Sequence, residues 1–139
     1  CVYHEDDIAL STRKNELDWA NETLEAIQNN RMALFAQVIT PISIKENNKL
    51  RYEILVRQFS AEGSQIYPNQ FLPALERYNL AAKLDQWVIN ATFSFLQNNA
   101  DKIDDIEYFS INLSEQSLSN KKIHDLIIWF FDLRSTLRK

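Results

Sequence analysis

The sequence has 139 residues, with 45% hydrophobic and 24% charged side chains and a formal net charge of −4, the make-up of one globular domain. Its single glycine, Gly63, excludes a Gly-rich phosphate loop and argues against a turn-dense all-β fold. One cysteine, two histidines, no CxxC or HExxH spacing and no apolar run near ~20 residues exclude an internal disulfide, a standard zinc site and a membrane span. The acidic balance argues against a nucleic-acid polymer as partner.

The first predicted element is a helix over 6–29, with Leu17, Ala20, Leu24 and Ile27 at three-four spacing. Asp6 and Asp7 suit its start, and Asn29 and Asn30 its exit. Met32 to Ile39 reads as a strand that carries one polar side chain, Gln37. Pro41 and the run 45–49 make a turn. Leu50 to Arg57 is a second strand, with Leu50, Tyr52, Ile54 and Val56 on one face and Arg51, Glu53, Leu55 and Arg57 on the other.

A loop around Gly63 follows, then a short helix over about 70–78 that Asn69 would cap. A longer helix covers about 80–98, with Leu84, Trp87, Val88, Ala91 and Phe95 as its buried stripe. Ile106 to Leu113 is a third strand, with Tyr108, Ser110 and Asn112 on one face. Ser119 starts a last helix, turning Ile123, Leu126, Ile127 and Phe130 inward. A short turn between the first two strands suggests an antiparallel pair, and the later strand–helix–strand spacing suggests parallel crossovers. The fold class is α/β, with open sheet edges.

Glu53 in mid-strand is either the wet side of an edge strand or, with Arg57, a cation- and phosphate-binding pair inside a barrel. Asn112 sits near the carboxyl end of its strand, where ligands bind in α/β folds. Taken alone, a helix N-cap at Asn112 or Ser114 is the plainer reading. Gln37 taken alone reads as an edge-strand residue. Cys1, His4 and His124 read as surface or tail positions. The aromatic residues Trp87, Phe93, Phe95, Trp129, Phe130 and Phe131 read as core or interface.

Four stretches in this order carry a resemblance: residues 19–39 (WANETLEAIQNNRMALFAQVI), 52–57 (YEILVR), 67–89 (YPNQFLPALERYNLAAKLDQWVI) and 109–114 (FSINLS). The chain resembles the first half of an EAL domain, the cyclic di-GMP phosphodiesterase module of bacterial signalling, over about residues 16–120. Residues 1–15 resemble the linker that follows a GGDEF domain, so residues 16–139 are expected to be the N-terminal half of an EAL domain. The start at Cys1 rather than methionine fits a piece of something longer.

The resemblance implies a partial TIM-like (β/α) barrel with about three strands, the first two antiparallel. It implies that Glu53 and Asn112 bind a divalent cation, Mg²⁺ or Mn²⁺, and that Gln37, Leu55 and Arg57 contact cyclic di-GMP. The implied reaction is hydrolysis to linear pGpG, and the implied location is the cytoplasm. Val38 stands where the family usually has proline, and Ile54 where it has alanine.

The family's later motifs, a further glutamate, an aspartate pair, a lysine and another glutamate, have no counterpart. After Asn112 the carboxylates are Glu115, Asp125 and Asp132, none in a matching motif. These 139 residues alone are therefore expected to be inactive. The alternatives are a non-catalytic cyclic di-GMP-binding module, a homodimer formed through exposed strand edges, and an unrelated α/β interaction domain.

Overall fold

The computed structural model describes residues 5–40 and 49–137, and side chains within 15–40 and 49–129. The expected turn at Pro41 and its following charged run lies largely outside the described residues. So do Cys1, His4 and the side chains of Phe130 and Phe131.

The elements follow the expected order. Helix α1 spans Glu5–Gln28, strand β1 Met32–Val38, β2 Leu50–Phe59 and β3 Gln65–Ile66. Helices α2 (Pro68–Arg77) and α3 (Ala81–Asn98) precede a 3-10 turn at Ile103–Asp105. Strand β4 spans Ile106–Ile111, and helices α4 (Glu115–Leu118) and α5 (Lys121–Leu137) complete the chain.

Strand β2 is central rather than an edge, because β1, β3 and β4 all pair with it. That removes the wet-edge reading of Glu53. The Phe59 N–H donates to the Arg31 carbonyl and the Ile39 N–H to the Arg51 carbonyl. Position falls along β2 as it rises along β1, so the first two strands are antiparallel, as expected. Strand β3 adds an antiparallel hairpin, with Gln58 opposite Ile66. Sequence reading placed only a loop there. Gly63 closes the turn at φ 90°, a conformation that glycine adopts without steric cost. Strand β4 joins β2 in parallel, with Glu53 opposite Ser110 and a register irregularity between Leu50 and Arg51.

Two compact units divide the chain, and the division falls within β1 and β2. The first unit holds residues 1–33 and 57–81. Helix α1 packs on α2 there, and Arg77 pairs with Glu16 at 3.0 Å. Phe71, Ala74 and Leu75 of α2 are buried with Ala20, Thr23 and Ala26 of α1. Of the expected stripe Ala20 is buried, Leu24 and Ile27 are half-buried and Leu17 is exposed, so the buried face is rotated toward Thr23 and Ala26. Small residues at Ala20, Thr23 and Ala26 bring the helix close to its neighbours. Thr23 also finds a buried partner: its hydroxyl donates to Gln58 Oε1 at 2.8 Å.

Several ends differ from expectation for local reasons. Asp6 and Asp7 lie within helix α1 rather than at a cap position before it. Tyr67, not Asn69, precedes α2, whose first residue is Pro68. A proline there loses no helical hydrogen bond. The Gln70 side chain reaches back to accept from the Tyr67 N–H at 3.0 Å. Asn120, not Ser119, caps α5, its Oδ1 accepting from the Lys122 and Ile123 N–H groups.

Both helices of the first unit end the same way. Asn30 (φ 58°) and Asn79 (φ 56°) take the left-handed conformation. The next residues, Arg31 and Leu80, donate to Ala26 and Leu75 carbonyls five residues back. This is the Schellman geometry, which ordinarily favours glycine. With one glycine in the chain, asparagine does this work.

The second unit holds residues 34–56 and 82–139. Leu84, Val88, Ile89 and Thr92 of α3, Ile54 of β2 and Ile123 of α5 are buried there. Tyr52 stacks on Phe109 with ring centroids 5.7 Å apart. Phe95 meets Phe109 edge-on at 6.3 Å, though it remains half-exposed where the expected stripe would bury it. Trp129 is likewise exposed. Arg51, expected on the polar face, is buried in an ion pair with Glu107.

Two stability predictions follow from these contacts. Asn30→Ala should cost about 1 kcal/mol, since alanine lacks the polar group that eases the left-handed region for asparagine; Asn30→Gly should cost nothing measurable. Thr23→Val should cost about 1–3 kcal/mol by leaving Gln58 Oε1 buried without a donor. The double variant Thr23→Val/Gln58→Leu should recover that loss, since Gln58 Nε2 is already without a partner among the described residues. Urea unfolding curves check both.

Candidate functional site

The site is built on one face of the sheet in the second unit. Side chains alternate along each strand and align across paired positions. The Ile39–Arg51 hydrogen bond sets a register in which Gln37 of β1 lies across from Glu53 of β2. On the other side of β2, Glu53 is opposite Ser110 of β4. Asn112, two residues beyond Ser110, therefore falls on the same side. Tyr52 and Phe109 take the opposite side and face Phe95 of α3. The sheet thus separates an aromatic face from one carrying Gln37, Glu53, Ser110 and Asn112.

Glu53 and Asn112 meet directly. The Asn112 Nδ2–H donates to Glu53 Oε1 at 2.9 Å across 59 residues of sequence. An ionised carboxylate only accepts, so the amide must turn its nitrogen to it. Each side chain keeps another oxygen: Oε2 on Glu53 and Oδ1 on Asn112. Adjacent carboxylate and amide oxygens are the donors that hard divalent cations select. The residues present therefore fit such an ion. Among the described residues, no cluster of three or more His, Cys, Asp or Glu side chains forms a fuller shell.

Asn112 is not a helix cap, the plainer reading of its sequence context. Ser114 takes that role, its side chain accepting from the Ser117 N–H. Leu55 lies two residues along β2 from Glu53, within the second unit, and is half-buried. Arg57, also half-buried, belongs to the first unit. Gln37 is exposed.

Sequence reasoning missed one group beside this site. Asp85 of α3 is buried and uses a single oxygen, Oδ2, to accept three hydrogen bonds. They come from the Ser114 N–H at 2.8 Å, the Ser114 hydroxyl at 2.6 Å and the Ser117 hydroxyl at 2.6 Å. Gln116 Oε1 accepts from the Ala82 N–H at 3.1 Å, tying the same two segments again. The only signal in sequence was the quoted run LDQWV. Nothing in it points 29 residues ahead to a serine.

His124 keeps its plain role, with Nε2 at 2.6 Å from the Leu118 carbonyl. No helix among the described residues is long and apolar enough to cross a membrane.

Comparison with known proteins places the whole assembly. The EAL domain family matches residues 20–137. Cyclic di-GMP phosphodiesterase PdeB of Shewanella oneidensis is 32% identical, over 84% of this chain and 13% of its own length. Cyclic di-GMP phosphodiesterase PdeA of Borreliella burgdorferi is 32% identical, over 99% of this chain and 19% of its own length. The chain thus spans less than one fifth of these relatives.

Among solved structures, the FimX EAL domain from Pseudomonas aeruginosa bound to c-di-GMP superposes with a TM-score of 0.70 at 24% identity. That match covers 84% of this chain and 45% of the FimX chain. A Vibrio cholerae LapD S helix-GGDEF-EAL structure superposes with a TM-score of 0.63 over 82% of this chain and 25% of its own. The fold is the corresponding part of an EAL barrel. The antiparallel first strands, the parallel β2–β4 pair and the matched sequence agree: this chain belongs to the EAL domain family.

Proposed function

We propose that this chain carries the cation- and nucleotide-recognising front part of a cyclic di-GMP phosphodiesterase domain. The observation that supports the reading is the meeting of Glu53 and Asn112 on one sheet face, with Gln37 across the β1–β2 ladder from Glu53. On this reading Glu53 and Asn112 hold Mg²⁺ or Mn²⁺ through their oxygens. Gln37 and Leu55 contact the dinucleotide, and the Arg57 guanidinium pairs with its phosphate, for which its fork of donors is suited. A divalent cation, when bound, polarises the phosphodiester and acidifies water. The product of such hydrolysis is linear pGpG. The cytoplasm, where cyclic di-GMP is made and read, is the location this reading gives. Residues 1–15 act as the linker from a preceding GGDEF domain.

Two protein oxygen ligands are few for such an ion. Mg²⁺ requires a near-octahedral set of oxygens and keeps waters where protein donors are lacking. The family's later glutamate, aspartate-pair and lysine motifs also have no counterpart in these 139 residues. These 139 residues by themselves therefore bind and do not turn over.

Calorimetry with Mn²⁺ and cyclic di-GMP, together with chromatography of the nucleotide, tests this reading. Binding of Mn²⁺ should be weak, with a dissociation constant on the order of 10⁻⁴–10⁻³ M, the range of loosely built oxygen sites. Glu53→Gln and Asn112→Ala should each weaken it about tenfold or more. Arg57→Ala should abolish dinucleotide binding. Formation of pGpG by the chain alone would overturn the claim of inactivity, and unchanged Mn²⁺ affinity in both ligand variants would overturn the site.

A further inference from the structure

We infer that Asp85 is the positioning residue for Asn112: it anchors the segment after β4 so that the Asn112 amide stays on Glu53. The inference rests in part on the cation site proposed above, but its geometry stands without an ion.

Asn112 is exposed, and a hydrogen bond open to water contributes only about 1 kcal/mol. Such a bond does not hold a loop by itself. Strand β4 ends at Ile111, so the ladder to β2 does not fix Asn112 either. The next fixed point in the chain is Ser114. Its N–H and its hydroxyl both donate to Asp85 Oδ2, at 2.8 and 2.6 Å. The same oxygen accepts from the fully buried Ser117 hydroxyl at 2.6 Å. Bonds to a charged acceptor are the strong kind, and this one is buried on a rigid helix. Asn112 is therefore held between the last ladder residue and a serine fixed through both backbone and side chain.

Ser114 has a second task. Its Oγ lies 3.3 Å from the Ser117 N–H and caps α4. Asp85 thus sets the direction in which the chain leaves the strand as well as the position of Ser114. Asp85 itself makes none of the contacts of Glu53 or Asn112; its effect passes through two residues of backbone.

The test uses the 139-residue chain and two readouts: the NMR resonances of the Asn112 side-chain amide, and Mn²⁺ affinity. Asp85→Ala removes all three bonds. It should move the Asn112 amide resonances toward those of a solvated asparagine. It should also weaken Mn²⁺ binding by about ten- to a hundredfold, as loss of a supporting group around a metal site does. Asp85→Asn keeps one carbonyl oxygen as an acceptor and should retain the resonances near their original positions. Leu75→Ala, in the buried core of the other unit, lowers stability without touching the anchor and should leave them unmoved.

Should Asp85→Ala fail to fold, Ser114→Ala decides. It removes one of the two Ser114 bonds and should shift the amide part of the way. Unshifted resonances in folded Asp85→Ala, or in Ser114→Ala, overturn the inference. So does an equal shift in Leu75→Ala. If the unmodified chain binds no Mn²⁺, the cation reading fails alone, and the amide resonances still decide the role of Asp85.

Discussion

Parallel pairing of β2 with β4 decides which side chains can act together. Glu53 faces Ser110 in this register, and the pleat then places Asn112 beside the carboxylate and Tyr52 beside Phe109. A slip of one residue would send Asn112 to the aromatic side and leave Glu53 without its partner. The aromatic face resists that slip. The stacked Tyr52–Phe109 pair and the edge-on contact of Phe95 would be exchanged for polar groups against α3. One set of apolar contacts therefore fixes the register, and the register assembles the polar site on the other face.

That coupling explains what was legible in the sequence. Strand alternation placed Glu53 on the same side of β2 as Arg51, Leu55 and Arg57, and the ordered motifs picked out Gln37, Glu53, Leu55, Arg57 and Asn112. The structure brings Gln37, Glu53 and Asn112 to one face of the second unit. Alternation also kept Arg51 on the side of Glu53, opposite Tyr108, but its burial in an ion pair with Glu107 was not legible, because that partner lies on the neighbouring strand. Periodicity in α1 chose Leu17, Ala20, Leu24 and Ile27; Ala20 is buried, yet the buried face continues through Thr23 and Ala26 rather than through the leucines. The hydroxyl of Thr23 has a buried partner in Gln58, a contact between residues 35 apart that no local pattern contains. The two-residue β3 was illegible for the same reason. Its existence depends on β2 extending to Phe59.

Asp85 marks the boundary of sequence reading most clearly. It lies at a position of α3 that a three-four pattern would bury, flanked by Leu84 and Val88. A carboxylate there conflicts with the hydrophobic stripe. A buried carboxylate is costly unless its charge is met by hydrogen bonds, and here three donors meet it through one oxygen. Such local conflicts are where positional demands outweigh packing. The expected stripe of Leu84, Trp87, Val88, Ala91 and Phe95 passed Asp85 by, and its partners Ser114 and Ser117 required the fold.

Scarcity of glycine shapes the chemistry as well as the backbone. Asn30 and Asn79 take over the left-handed helix exits, so the chain turns without surrendering side chains. The same scarcity withholds the close backbone approach by which Gly-rich loops hold phosphate. A site in such a chain must be made of side chains, each with torsional freedom that must be restrained before it can act. Glu53 is restrained by a central strand. Asn112 lies just past a strand end, where the ladder has stopped. A side-chain site placed there needs an anchor outside the sheet, and α3 supplies one in Asp85. The buried acid on the helix and the exposed amide beside the carboxylate are two parts of one requirement: where a site is made of side chains, its precision is set by what fixes the backbone beneath them.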